Sequence, residues 1–183
     1  MWWIVPLVIL AVLVLVSVYY VNRITMLSNR IDNAWSQIDV QLKKRFDLVP
    51  NLVETVKGYM KHEKDAIKSV TEARERMMGT SDLKSRMRAE GELTRALKTI
   101  LALSENYPNL KANENFRLLQ EQLEGIENRV AYARQFYNDS VLGFNNMITT
   151  VPGSWFAGLT GRNRPREYFE IEESEREPVK VEF

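Results

Sequence analysis

An apolar run that no charge interrupts opens the chain. Trp2 through Val21 is built from Ile, Val, Leu, Ala and aromatic residues with one Pro, one Ser and no Asp, Glu, Lys or Arg. As a helix rising about 1.5 Å per residue it would extend roughly 30 Å, the hydrocarbon thickness of a bilayer. Trp2 and Trp3 stand at one end and Tyr19 and Tyr20 at the other, where rings favour the two membrane–water interfaces. A cleaved signal peptide needs a basic leader, a shorter apolar core and a small-residue cleavage site. Here no Lys or Arg precedes the run, and Val18-Tyr19-Tyr20 offers no such site. A retained, single membrane-spanning helix is the expectation.

Beyond it the pattern takes a seven-residue period. Ile24, Ile31, Ile38, Leu52 and Tyr59 share one register, with Arg45 in the intervening slot, and Trp35, Leu42, Val49 and Val56 share another. Together they form an a/d seam, the mark of helices packed side by side. The stripe weakens through Ile67, Val70, Arg74 and Met77 until Gly79-Thr80-Ser81 stops it, with Gly79 suited to a left-handed cap and Ser81 to the next N-cap. A second segment, 82–106, would bury Leu83, Met87, Leu97, Ile100, Leu101 and Leu103 and end at Tyr107-Pro108-Asn109. Asn113 is a candidate N-cap for a third segment reaching 148. Phe116, Leu123, Val130, Tyr137 and Phe144 share one of its registers, and Leu119, Ile126, Ala133, Ser140 and Met147 the other. Thr149 to Gly153 closes it.

A bend around 60–64, near Gly58, would divide the long first segment and leave four bundle helices of comparable length. The expected fold is therefore all-α: a membrane helix over 1–21, an antiparallel three- to four-helix bundle over 22–150, and an irregular tail over 151–183. That tail carries the apolar cluster Trp155, Phe156 and Leu159, then Arg162, Arg164 and Arg166, then a crowd of glutamates from Glu167 onward.

Composition narrows the chemistry. The 183 residues include no Cys and one His, His62, which excludes disulfides, thiolate nucleophiles, Cys/His zinc sites and iron–sulfur ligation on this chain. A di-iron bundle would place Glu three residues before each His; Tyr59 occupies that place, and His62 reads as a solvated helical residue. The net charge of +1 gives no bulk attraction to nucleic acid. No Gly-rich phosphate loop, Gly-x-Ser-x-Gly or His-Glu-x-x-His occurs. No cofactor, metal, nucleic acid or small-molecule substrate is expected. Met77, Met78 and Met87 read as core fillers near a helix turn. Arg23, Arg30 and Lys43-Lys44-Arg45 follow the apolar run and none precedes it. The positive-inside rule then sets the N-terminus outside and the body in the cytoplasm, at the inner membrane.

The stretch from Arg45 to Asn51 is the most informative part of the bundle. Arg45 takes a seam position, so its guanidinium must meet a carboxylate or helix-end carbonyls, or snorkel out. An antiparallel third segment could supply Glu127, Asp139, Asn138 or Asn145. Pro50 removes one backbone bond and clashes with the carbonyl of Phe46, so a kink or break is expected over 46–50. The block reads either as a notch for a partner or as a polar registry device inside the bundle.

These residues carry a resemblance. Asn33-Ala34-Trp35, then Arg45 through Tyr59 (RFDLVPNLVETVKGY), resembles the signature block of the LemA family. Leu118-Leu119-Gln120 with Leu123 and Glu127-Asn128, Tyr137-Asn138 with Val141, Phe144-Asn145, Val151-Pro152, Tyr168-Phe169 and the closing Lys180 to Phe183 match it too. Val151 departs from the Phe usual before that proline. The resemblance covers essentially the whole chain and implies an antiparallel helical bundle on one N-terminal membrane helix; it brings no reaction with it. It marks Trp35, Arg45, Asp47, Pro50, Asn51, Glu54, Tyr137, Asn138, Asn145 and Pro152 as candidate structural or interaction residues. Three function classes follow: a non-catalytic scaffold or adaptor holding a protein partner or a second copy at the bilayer, an oligomeric membrane-shaping protein, and, least favoured, an enzyme.

Overall fold

The computed structural model describes residues 2–80 and 83–169, all helix, turn or extended chain without a strand among them. The helices are α1 (Ile4–Lys57), α2 (Lys64–Met78), α3 (Leu83–Ser104), the single turn α4 (Pro108–Lys111), α5 (Glu114–Thr149) and the short α6 (Gly153–Ala157), which a 3₁₀ turn follows over Gly158–Thr160. They sort into two compact units, Met1–Ile38 with Tyr132–Phe169 and Asp39–Ala131. Both α1 and α5 contribute to each.

The first surprise is the length of α1, which continues through Pro50 for 54 residues. The break expected over 46–50 does not occur. Val49, Leu52 and Val56 are 0–1% exposed, and burying three such side chains contributes roughly 1.5–3 kcal/mol each. That outweighs the roughly 3 kcal/mol an interior proline costs, and the ring itself faces solvent. The chain breaks after Lys57 instead. Residues 58–63 form a turn in which the Tyr59 and Met60 amides both donate to the Val56 carbonyl, and Met60 tucks into the core at 0% exposure. So the long first segment is two helices, divided where the stripe weakens. Tyr59, placed in the seam by its spacing, is exposed, and His62 is an exposed turn residue rather than a helical one.

In the second unit the end of α1, α2, α3 and the start of α5 reverse direction across short connections and make a four-helix bundle. Gly79 ends α2 in a right-handed conformation at φ −84°, its amide donating to the Arg76 carbonyl. A three-residue closure needs no left-handed cap. Ser81, the expected next N-cap, and Leu83's side chain lie outside what is described. The core of α3 is Ala89, Leu93, Ala96, Leu97 and Ile100, whereas Met87, Leu101 and Leu103 are half-buried. Met77 is buried but Met78 is 68% exposed, so it fills no core. At the start of α5 the Asn113 carboxamide oxygen accepts from the Phe116 amide at 3.0 Å, the expected N-cap.

The first unit pairs the beginning of α1 with the end of α5. Ile24, Ile31, Ala34 and Ile38 of α1 and Tyr137, Val141, Phe144 and Ile148 of α5 are buried there. The chain then turns at the cis Val151–Pro152 bond into α6. From Ile4 to Val18 the large apolar side chains of α1 are exposed, and mean hydropathy reaches 2.8 in an 18-residue window. Water-soluble surfaces rarely show a continuous apolar patch of that size.

Candidate functional site

Nine of the ten candidate residues fall into three groups with different settings, and Pro152 stands apart from them. Arg45 is 2% exposed in the core of the second unit. Its guanidinium donates to Glu90 Oε1 at 2.8 Å and to Thr94 Oγ1 at 2.7 Å, and it pairs with Glu127 Oε2. Thr94 in turn donates to Glu90 Oε1 at 3.1 Å. One cation thus joins α1 to α3 and α5. Leaving any member unpaired in this setting would cost several kcal/mol, so the four side chains fix the register of three helices together. Glu127 was one of four anticipated partners; Asp139, another, is exposed in the first unit. Glu90 and Thr94 were missed, yet the sequence carried a signal: Glu90 shares the helical face of Leu93, Leu97 and Ile100, where an acidic residue needs a cation. Beside the cluster lies a cavity of about 300 Å³ lined by Leu97, Leu101 and Leu123, with Arg45, Thr94 and Glu127 on its polar side.

Asp47, Pro50, Asn51 and Glu54 occupy the opposite face of α1 and are all exposed. Asp47 pairs on the surface with Lys43 at 3.2 Å. The Asn51 and Glu54 side chains hydrogen-bond no other described residue. The Arg45–Asn51 block therefore divides, with Arg45 and Val49 inward and Asp47, Pro50 and Asn51 outward.

Asn138 and Asn145 find their partners elsewhere. They lie in the first unit, two turns apart on α5, and each amide closes a ring with one backbone residue of the extended C-terminal segment. Asn138 donates to the Phe169 carbonyl at 3.0 Å and accepts from the Phe169 amide at 2.7 Å. Asn145 does the same to Arg166, at 2.9 Å and 2.8 Å. The spacing has a simple origin. Seven helical residues advance about 10.5 Å and three extended residues about 10 Å, so the two repeats coincide. Tyr137 donates to the Glu167 carbonyl at 3.1 Å. Its ring meets Trp35 edge-on at 6.0 Å, Trp35 also lies 6.4 Å from the Phe169 ring, and Arg134 stacks on Phe169 at 4.7 Å. Burial pushes the Tyr137 phenol above its ordinary range; Arg166 opposes the shift, and Glu167 and Asp32 add to it. Trp35, Tyr137, Asn138 and Asn145 are thus a clasp on the chain's own C-terminal segment. Pro152 begins α6. Among the described residues no three His, Cys, Asp or Glu side chains gather as a metal site would require.

The chain is similar to magnetosome proteins MamQ 2 and MamQ 1 of Paramagnetospirillum magneticum, at 29% identity over 96 residues. It is also similar to magnetosome protein MamQ of Magnetospirillum gryphiswaldense, at 31% over 86 residues. Those matches cover 52% and 47% of this chain and 35% and 31% of the relatives, so the chain spans about a third of their length. The family model describing the LemA family matches residues 34–183, a range holding both the Arg45 cluster and the asparagine clasp, and the chain belongs to that family.

Proposed function

We propose that this chain is a single-pass inner-membrane adaptor, tethered by residues 2–21 and acting through protein–protein contacts of its helical bundle. The observation that carries the reading is the exposed stripe of Asp47, Pro50, Asn51 and Glu54. An interior helical proline costs roughly 3 kcal/mol relative to alanine, and the exposed Pro50 ring gains little packing to offset it. Asn51 and Glu54 return nothing through hydrogen bonds of their own to described residues. A surface that carries a local cost without internal return suits a contact made outside the chain. The Arg45 cluster behind it keeps α1 in register, so the stripe is presented on a rigid helix.

A photo-crosslinking residue placed at Asn51 or Glu54, with Lys68 and Glu75 on α2 as controls, tests this in native membranes. Discrete adducts from 51 and 54 alone are expected. An adduct containing only this chain identifies the partner as a second copy. Equal or absent crosslinking at all four positions would refute the adaptor surface.

A further inference from the structure

The end of the apolar stretch and the turn after α5 meet in the first unit. The would-be side chain of Gly143 faces Leu27 of α1 at 3.9 Å, and Arg30 stacks on Phe136 at 4.8 Å, so α5 runs antiparallel to α1. Six residues after Gly143, α5 ends at Thr149; six residues before Leu27 the apolar run ends at Val21. The α6 turn is fixed at that level. Phe156 stacks on Tyr20 with centroids 5.3 Å apart and rings tilted by only 10°. Gly153 permits the close turn, since a Cβ there would sit 2.1 Å from the Met147 carbonyl oxygen. With Phe156 turned inward, its neighbours point out: Val151, Trp155 and Leu159 are 65%, 71% and 73% exposed. Next comes Arg162, whose guanidinium donates to Thr25 Oγ1 at 3.3 Å, five residues or about 7.5 Å beyond Tyr20 along the helix.

We infer that Val151, Trp155 and Leu159 form a second membrane contact, seated at the headgroup–acyl boundary of the leaflet where the α1 span ends, with Arg162 and Arg164 facing anionic headgroups. The inference rests on residues 4–21 crossing a bilayer, and continuity with that span names the occupant. Tyr20 is the last ring of the span, and an aromatic at that end sits at the interface. Any side chain level with it and pointing outward meets lipid rather than bulk water. The interfacial layer is roughly 5–8 Å deep on each side, which matches the distance from Tyr20 to the Arg162 contact. Apolar groups with a tryptophan at the boundary and arginines just beyond have the composition of an interfacial anchor. The contact would fix the tilt and rotation of the helix as it leaves the bilayer.

The chain has no cysteine, so single reporters can be placed in the full-length protein. An environment-sensitive fluorophore is attached to Trp155→Cys, Leu159→Cys, Val12→Cys or Glu54→Cys, and each protein is reconstituted in phosphatidylcholine–phosphatidylglycerol vesicles. Nitroxide lipids labelled near the headgroup should remove roughly half or more of the emission at 155 and 159. Those labelled near the chain end should do so at 12, and neither should quench at 54. Arg162→Glu with Arg164→Glu should weaken quenching at 155 in these vesicles. Quenching at 12 without quenching at 155 and 159 would overturn the interfacial contact and leave the span standing. No quenching at 12 would overturn the span and this inference together. Protection at 155 from both nitroxide lipid and aqueous iodide would show that protein covers the patch, and would also overturn it.

Discussion

At the scale of single residues, Arg45 shows how one polar side chain can set the register of an otherwise apolar seam. Its slot between Ile38 and Leu52 would suit any aliphatic residue by spacing alone. With arginine there, α3 must bring Glu90 and Thr94 and α5 must bring Glu127. Truncating the cation leaves Glu90, whose side chain is 3% exposed, facing an apolar core. Arg45→Met should therefore destabilise the second unit by about 3–5 kcal/mol, whereas Lys44→Ala on the exposed side should change stability by less than about 0.5 kcal/mol. Adding Glu90→Met to Arg45→Met should restore most of the loss, because a buried ion cluster replaced whole by apolar groups is close to neutral. Denaturant unfolding of the three variants checks it; a double variant no more stable than Arg45→Met would refute the registry role. Gly153 makes a second residue-scale case. Gly153→Ala forces a Cβ against Met147 backbone and should cost about 1–3 kcal/mol in thermal unfolding; the same change at Gly125, where nothing lies within 4 Å, should be neutral or stabilising.

At the scale of elements, the docked C-terminal segment is the part periodicity could not reveal. Heptads in α1 and α5 marked the seams because burial repeats with the helix, and most of those positions are buried. The split of the first segment was legible too, in Gly58 and the weaker stripe beyond Tyr59. The Asn138 and Asn145 pairings were not, since each joins a side chain to the backbone of a segment with no pattern of its own. Both asparagines looked like partners for Arg45 because only their chemistry was visible, not their unit. Asn138 bonds the buried Phe169 and Asn145 the exposed Arg166. Asn138→Ala should then cost about 1–3 kcal/mol and Asn145→Ala less, because water replaces the lost bonds more readily at the exposed site. Hydrogen exchange at the Phe169 and Arg166 amides reads the two independently. Tyr137 adds a pH dependence. Its folded-state pKa lies above the ordinary value of 10.0, so its contribution is complete below that pH and is lost as pH rises through the folded pKa. Segment release between neutral and strongly alkaline pH should be steeper in the parent than in Tyr137→Phe; equal slopes would place the alkaline loss elsewhere.

At the scale of the whole molecule, the distribution of charge predicts which side of the membrane would hold the helices. The apolar stretch was plain from composition, but the structure brings arginines toward its C-terminal end that the linear sequence placed far away. Arg162 reaches Thr25 and Arg166 lies 3.7 Å from Asp32, joining Arg23 and Arg30 within the first unit. Positive charge that follows a span closely along the chain opposes its transfer across the bilayer, and Arg23 and Arg30 hold that position. We therefore expect the bundle to be cytoplasmic. Single cysteines at Trp2, Lys68 and Lys98, probed with a membrane-impermeant maleimide, test this in spheroplasts. Position 2 should react at once, while positions 68 and 98 should react only after the membrane is opened. Replacing Arg23, Arg30, Arg162 and Arg164 together by glutamine should increase labelling at 68 in intact spheroplasts, since it removes the charges nearest the span and leaves the apolar stretch unchanged. Labelling at 68 in the unmodified protein would place the bundle outside. The exposed stripe on α1 would then meet its partner on the far side of the membrane.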